Sequence, residues 1–219
     1  MARKALVFGG GLFAEVVAFY LEKDSAYEVV AFTATDVTNG ETFLERPVAD
    51  FENVQEKYPP DEHDMFVAVG YRKMNKLRQG FCEDARAKGY TLLSYVCSKA
   101  THWGDTKIGE NVFVFEDNTI QPFVTIGDGT ILWSGNHIGH HARIGSYCFI
   151  TSHVVISGNT SVGDRCFVGI NAAIADSVSV ADDNLIGPGS LIQKNTAPGA
   201  AYFEKATTAF AKPSDRFFR

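Results

Sequence analysis

The sequence lacks any apolar run near the roughly 18 residues that a membrane helix needs, so we expect no membrane insertion. Its four cysteines (82, 97, 148 and 166) form no CxxC pair, which argues against a disulfide framework and favours a reducing cytoplasm. The N-terminal MARKALVFGGG has no apolar block or cleavage site of a signal peptide, which also favours a cytoplasmic protein. Positive charge is scarce as well, and the net charge of -6 argues against nucleic acid as a partner.

Strand and helix signals alternate in the first half of the chain. Short apolar segments predict strands at KALVFGG, YEVVAF, DMFVAVG and YTLLSYV. Helical spacing predicts helices at LFAEVVAFYLEK and at MNKLRQGFCEDARAKG, the second of which ends at Gly89. This alternation predicts a small parallel α/β sheet.

The second half follows a different period. Aliphatic residues recur every six positions without a break, at Ile108, Val114, Ile120, Ile126, Leu132, Ile138, Ile144, Ile150, Ile156, Val162, Val168, Ile174, Val180, Ile186 and Ile192. Because six is a multiple of the strand period of two, every one of these side chains points to the same side. A tripeptide of an aliphatic residue, a small residue and an acid or serine recurs every 18 residues, from Ile108-Gly109-Glu110 to Val180-Ala181-Asp182, so three hexads form one coil. The pattern predicts a three-sided prism of five coils, about 24 Å long, with glycine at the corners.

These repeats resemble the left-handed parallel β-helix of the hexapeptide-repeat acyltransferases. The resemblance implies the left hand, a homotrimer and active sites between neighbouring prisms. The alternative from another functional class is a non-catalytic trimeric scaffold that binds a nucleotide sugar, because a fold alone does not establish a function.

The histidines of the second half distinguish these alternatives. Ile138 points inward, so His140 and His141 are expected on the turn and the outer surface. A metal site needs three or four convergent ligands, and His137, His140, His141 and His153 have no obvious ligand spacing, so we expect no metal. General-base chemistry is the favoured role.

A narrower resemblance covers nearly the whole chain. NHIGHHARIG, VISGNTSVGDRCFVGINAAI and VADDNLIGPGSLIQKN are similar to nucleotide-sugar acetyltransferases of bacterial surface-glycan (lipopolysaccharide and O-antigen) pathways. These include bacillosamine-type N-acetyltransferases and sialic-acid-locus O-acetyltransferases. The resemblance implies a Rossmann-like nucleotide-sugar-binding domain at 1–97 and a β-helix acetyltransferase domain with a C-terminal tail at 98–219. It also implies that His140 is the catalytic base, from the I-x-H-x-x-x-I-G turn.

The implied reaction is transfer of acetyl from acetyl-CoA to the amine of a nucleotide-linked 4-amino-4,6-dideoxysugar. Direct attack by the amine requires a base, and an imidazole is well matched to accept the proton. A backbone N–H near Ser157 and Gly158 is the candidate donor to the oxyanion. O-acetylation of a sugar hydroxyl is the alternative reaction. Cys148 and Cys166 are interpreted as stacked core residues.

One residue departs from the family pattern. In the bacillosamine-type enzymes a Glu follows the catalytic His and orients its ring, whereas this chain has His141 there. A backbone carbonyl, Asn136 or a neighbouring chain could take over that role.

Candidate nucleotide-sugar residues lie mainly where predicted strands end. Gly9-Gly10-Gly11 fits a phosphate-binding turn before a helix, although a tight βα turn without a ligand is the alternative. The basic stretch from Tyr71 to Arg78 follows the third strand, and its alternative is a solvated helix face. The candidates for substrate binding are Gly10, Gly11, Asp36, Gly70, Tyr71, Arg72, Trp133, Asn136 and His153.

In relatives, acyl-CoA lies along the prism between subunits. The residues that could line its site here are Ser157, Gly158, Gly169, Gly187, Gly189 and Lys194. Lys194, Lys205 and Lys212 are the candidates to bind its phosphates.

Overall fold

The computed structural model describes residues 3–38, 40–209 and 211. Its first half contains β1 (Arg3–Phe8), α1 (Leu12–Asp24), β2 (Tyr27–Ala34), β3 (Thr42–Phe43), β4 (Arg46–Asp50), α2 (Val54–Lys57), β5 (His63–Val67) and α3 (Lys76–Ala87). The strands form one mixed sheet in the order β3-β4-β2-β1-β5, in which only β3 runs antiparallel to its neighbour. Among the described residues, no helix has both the length and the apolar character to cross a membrane.

Apolar side chains of β1 point alternately to the two faces of this sheet, which explains why helices cover both faces. Ala5 and Val7 pack in one apolar cluster with α1, whereas Leu6 and Phe8 pack in another with α3. Gly89 has a φ of +92° directly after α3, as expected for a residue that ends a helix.

Two parts of the α/β prediction were wrong. The β3–β4 hairpin was not predicted, because its strands are short and mostly polar. YTLLSYV was predicted as a strand of this sheet, but only Leu92 bridges to Met65 of β5. Tyr95–Val96 instead forms β6, which pairs with β8 of the second half, because the chain leaves the sheet here and enters the solenoid.

The second half is a left-handed parallel β-helix. Its strands are β7 (Lys107–Ile108), β8 (Phe113–Val114), β9 (Thr119–Ile120), β10 (Thr125–Ile126), β11 (Ile131–Leu132), β12 (His137–Ile138), β13 (Arg143–Ile144), β14 (Phe149–Ile150), β15 (Val155–Ile156), β16 (Ser161–Val162), β17 (Phe167–Val168), β18 (Ala173–Ile174), β19 (Ser179–Val180), β20 (Leu185–Ile186), β21 (Leu191–Ile192) and β22 (Ala201–Tyr202). They form three parallel sheets. We call the sheet from β6 to β22 face 1, that from β9 to β21 face 2, and that from β7 to β19 face 3.

The predicted core of the prism is confirmed. The six-residue positions all lie in one apolar cluster, with Ile108 at its partly buried end. Cys148 and Cys166 are fully buried in the same cluster, as stacked core residues. Their thiols donate to the carbonyls of Gly163 and Ala181 at 3.0 and 3.2 Å.

The corners are built differently from the prediction. A residue with left-handed backbone follows three positions after each inward aliphatic from Ile108 to Ile186. Most of these residues are not glycine: Asn111, Asp117, Phe123, Gly129, Gly135, His141, Tyr147, His153, Asn159, Arg165, Asn171, Ser177, Asp183 and Gly189. Gly139 serves close stacking instead, because a Cβ there would lie 2.5 Å from the backbone N of Gly158.

A fully buried arginine joins the two halves. Arg78 of α3 donates to the carbonyl oxygens of Gly129 and Tyr147 at 2.7 and 2.9 Å, and to that of Gly70 at 2.8 Å. Burial lowers the pKa of its guanidinium to about 10, so it keeps its charge at neutral pH. Beside it, the Asn75 amide donates to the carbonyl of Arg165 at 3.0 Å. These bonds fix α3 against the solenoid.

Candidate active site

His140 lies at the corner between face 2 and face 3, after β12 ends and before β13 begins. Its backbone is held on both sides. The N–H of His140 donates to Oε1 of Gln121 at 2.8 Å, and its carbonyl accepts from the N–H of Asn159 at 2.8 Å. The imidazole is exposed, as the phase of the repeat predicted.

One edge of the His140 ring faces the next coil. A Cβ built on Gly158 would lie 2.7 Å from both Cε1 and Nε2 of His140, and 3.2 Å from Oδ1 of Asp176. Only glycine therefore leaves room for the ring in this position. Among the described residues, none accepts a hydrogen bond from the Gly158 N–H, so this backbone donor is available to a ligand.

The opposite edge of the ring faces His141. The two Nδ1 atoms are 3.2 Å apart, and the rings are nearly perpendicular. His141 has a φ of +60°, its N–H donates to the carbonyl of Pro122 at 3.1 Å, and its ring centre lies 4.7 Å from that of Phe123. An imidazole therefore stands where the family resemblance implied a carboxylate.

Asn136 does not orient His140. It is 1 % exposed, its amide donates to the carbonyl of Trp133, and its Oδ1 accepts the Val154 N–H at 2.8 Å. These bonds close a corner of the solenoid and leave Asn136 unsuited to the predicted substrate contact as well. The prediction failed because a buried asparagine that closes a corner has the same sequence pattern as a polar site residue.

Two other predicted residues lie apart from His140. Trp133 is on face 1, where its ring stacks on Phe115 at 4.5 Å. His153 is at the corner between face 1 and face 2, against Gly135. A single chain therefore brings neither residue to the His140 corner. Across the described part of the chain, no three metal-ligating side chains converge.

The predicted cofactor residues divide between the same two corners. Ser157, Gly158 and Lys194 lie at the His140 corner, and Lys194 is three coils further along, which corresponds to roughly 14 Å. Gly169, Gly187 and Gly189 lie at the corner of His153.

At two of those positions packing alone requires glycine. A Cβ on Gly169 would meet the Pro188 backbone at 2.5 Å, and one on Gly187 would meet the ring of Phe203 at 2.5 Å. Lys205 is exposed in the tail, and Lys212 lies outside the described residues.

The candidate nucleotide residues gather at one edge of the α/β sheet. Gly10 and Gly11 follow β1, Asp36 follows β2, and Gly70 follows β5, and these three parallel strands are neighbours. Asp36 borders a cavity of about 600 Å³ that is also lined by Asp50, Asp84 and Lys88. The acidic lining suits hydroxyl and amide donors better than phosphate.

The stretch after Gly70 has two roles. Tyr71 is half-exposed and packs edge-on against Phe149 and Phe167 of face 1, at 5.1 and 5.0 Å, whereas Arg72 is exposed. The next residues, 73 to 75, have φ values of 52°, 51° and 62°, a run of left-handed backbone that is rare outside glycine. Arg78 binds backbone carbonyls, so it is neither a ligand contact nor part of a solvated face. Charge patterning could not identify this buried role.

Comparisons with known proteins agree with this architecture. The family model for the bacterial transferase hexapeptide (six repeats) matches residues 105–139 and 126–158. No curated protein gives a significant match. Similar solved structures include a histidine variant of perosamine N-acetyltransferase from Caulobacter crescentus in complex with CoA and GDP-perosamine, at 26% identity over 90% of this chain and 92% of that chain, with a TM-score of 0.81.

A second similar structure is the acetyltransferase domain of PglB from Neisseria gonorrhoeae in complex with acetyl coenzyme A, at 26% identity over 92% of this chain and 96% of that chain, with a TM-score of 0.81. The similarity spans both halves, as the sequence resemblance implied. The model for bacterial transferase hexapeptide repeats thus matches part of the second half, and the chain is similar over nine-tenths of its length to the perosamine N-acetyltransferase and to the PglB acetyltransferase domain.

Proposed function

We propose that this protein is an acetyl-CoA-dependent N-acetyltransferase that acts on the amine of a nucleotide-linked amino-deoxysugar in bacterial surface-glycan biosynthesis. The observation that carries the proposal is the contact of His140 Nε2 with Gly158 of the next coil, whose N–H has no acceptor among the described residues. The perosamine enzyme and the PglB domain support the choice of an amine acceptor and of acetyl-CoA.

The geometry supplies a base and an oxyanion donor at one point. As the sugar nitrogen attacks the thioester carbon, Nε2 of His140 accepts the proton that the nitrogen loses. The Gly158 N–H donates to the carbonyl oxygen as negative charge develops on it. The C–S bond then breaks, and the CoA sulfur leaves as a thiolate or takes the proton from His140. No covalent enzyme intermediate is needed, and the buried cysteines take no part.

The two substrates have separate regions to occupy. We place the pantetheine of acetyl-CoA along the corner that runs from His140 to Lys194. We place the nucleotide at the sheet edge of Gly10, Asp36 and Gly70, with residues 1–97 as a Rossmann-like nucleotide-sugar domain and 98–219 as the acetyltransferase domain. The four parallel strands β4-β2-β1-β5 support this assignment, since ligands bind where neighbouring parallel strands end.

A homotrimer would complete the site. The second set of candidate residues, His153 with Gly169 and Gly189, lies at a different corner from His140. A neighbouring prism could bring its copy of that corner to the cleft. Four free thiols support a cytoplasmic location.

Replacing His140 by Ala tests the proposal. With a nucleotide-linked amino sugar and acetyl-CoA, release of free CoA should fall by about 10²- to 10⁴-fold, the usual contribution of a general base. The exposed His102→Ala variant is the matched control, and its rate should equal that of the wild type. Unchanged turnover in His140→Ala would contradict the assignment of the site.

A further inference from the structure

We propose that His141 is a positioning residue, which holds His140 in the tautomer that carries its proton on Nδ1 and leaves Nε2 unprotonated. The inference rests on the proposed function, in which Nε2 accepts the proton. It assigns to this chain a neutral imidazole in the role that a carboxylate has in the bacillosamine-type enzymes.

The distance between the two rings requires a shared proton. The Nδ1 atoms of His140 and His141 are 3.2 Å apart, which is a hydrogen bond only if one nitrogen donates and the other accepts. The Cε1–Nε2 edge of His140 faces Gly158, so Nε2 is the nitrogen at the reaction centre. A neutral base at Nε2 must carry its proton on Nδ1, and the acceptor is therefore the lone pair on Nδ1 of His141.

The fold holds the acceptor in place. His141 occupies the left-handed corner position, and its backbone N–H is bound to the carbonyl of Pro122. Its ring packs on Phe123 of the coil below. The backbone of His140 is held separately, by the bond from its N–H to Gln121. The backbone of each histidine is therefore fixed by a different residue of the neighbouring coil.

A neutral acceptor differs from a carboxylate in one respect. Nδ1 of His141 offers one lone pair, so it can accept the Nδ1–H of His140 without bringing a negative charge next to the base. The carboxylates near the pair are Asp176, across Gly158, and Asp105, which accepts the Phe123 N–H at 2.9 Å.

Substitutions at residue 141 separate these effects. Asn and Asp suit the corner, because Asn159 and Asp183 occupy equivalent left-handed positions. Their Oδ1 atom also stands as far along the side chain as Nδ1 of histidine. His141→Ala should lower kcat by roughly ten- to a hundredfold with KM unchanged, as loss of a ring-orienting partner does elsewhere. His141→Asn should restore kcat, because its Oδ1 can accept the same Nδ1–H of His140. His141→Asp should move the acid limb of the pH profile to higher pH, because a carboxylate stabilises the imidazolium.

Asp183→Ala is the matched control, since it also puts alanine at a left-handed corner, and that corner, between face 3 and face 1, holds neither His140 nor His153. It should lose at least as much thermal stability, because Asp183 accepts hydrogen bonds from Arg165 at 2.9 and 3.1 Å, and it should keep full activity. Nitrogen-15 NMR of histidine-labelled protein supplies a second readout, in which the His140 signals, assigned with His140→Ala, should show the Nδ1–H tautomer in the wild type. That tautomer should be lost in His141→Ala.

The outcomes are distinguishable from failure of the proposed function. If His140→Ala is inactive while His141→Ala matches the wild type in kcat and in pH profile, the inference is overturned and the proposed function stands. An Nε2–H tautomer in the free wild-type enzyme would also overturn it. Activity that survives in His140→Ala overturns both.

Discussion

The His140 ring lies against Gly158 so closely that a single methyl group on Gly158 would occupy the space of Nε2. This contact joins two consecutive coils at the point where we place the chemistry. A methyl group on Gly158 should disturb the site more than the fold, because the nearest atoms belong to the His140 side chain, which can rotate away.

Gly158→Ala should therefore leave the protein folded and remove most of its activity. The new Cβ would displace the imidazole by an ångström or more, which typically costs about 10²-fold in rate. The measurement is kcat/KM beside the thermal unfolding midpoint. Gly80→Ala in α3 is the control, since a Cβ there meets no atom within 4 Å. Equal activity in the two variants would contradict the assigned position of the base.

Arg78→Met should destabilise the protein by about 3–5 kcal/mol, because it leaves several buried carbonyls without their charged donor. Chemical denaturation would measure the change in the free energy of unfolding. The exposed Arg72→Ala should change that free energy by less than about 0.5 kcal/mol. A small effect of Arg78→Met would show that the junction between the halves depends on apolar packing alone.

The cysteines should be unreactive in the native state. All four are buried, and burial raises the pKa of the Cys82 thiol to about 12 and that of Cys148 well above its ordinary range. A thiol reagent should label none of them at pH 8 until denaturant is added, and then all four. Rapid labelling of the native protein would contradict the burial. The result also matters for the free-CoA assay, because native protein thiols should add no background.

The ionised Asp24 carboxylate should stabilise the folded protein at neutral pH and lose this effect in strong acid. Hydrogen bonds from Ser98 and then from Tyr95 lower the pKa of this carboxyl below its ordinary 3.8. A lowered folded-state pKa gives stability that is complete above the unfolded pKa and is lost as the pH falls through the folded one. Asp24→Asn should therefore show a flatter loss of stability below pH 4 than the wild type. The exposed Asp61→Asn should follow the wild-type curve, and the same curve for both variants would argue against the prediction.

The solenoid was predictable because its repeat can be seen along the chain alone. An inward aliphatic every six residues needs no knowledge of distant contacts, so the core of the prism and the phase of His140 followed from the sequence. The left hand followed only from the family resemblance.

What the sequence could not reveal depends on contacts between coils and between halves. Tyr95–Val96 joins the solenoid because it pairs with Phe113 and Val114, one coil further along the chain, although it lies before the aliphatic repeat begins. The burial of Arg78 depends on carbonyls more than 50 residues away. Asn136 is a polar residue like those of a binding site, but its amide donates to Trp133 in the same coil and its Oδ1 accepts from Val154 one coil away. The partner of His140 could likewise be identified only from the positions of the two rings.

The repeated left-handed corner accepts different side chains on the same backbone. Asparagine, aspartate, phenylalanine, tyrosine, arginine and serine all occupy equivalent positions along the prism. A change of side chain at such a position alters what projects into a cleft without disturbing the stacked aliphatic residues behind it. A change at residue 141 would thus alter the group that meets the His140 ring while the architecture stays the same.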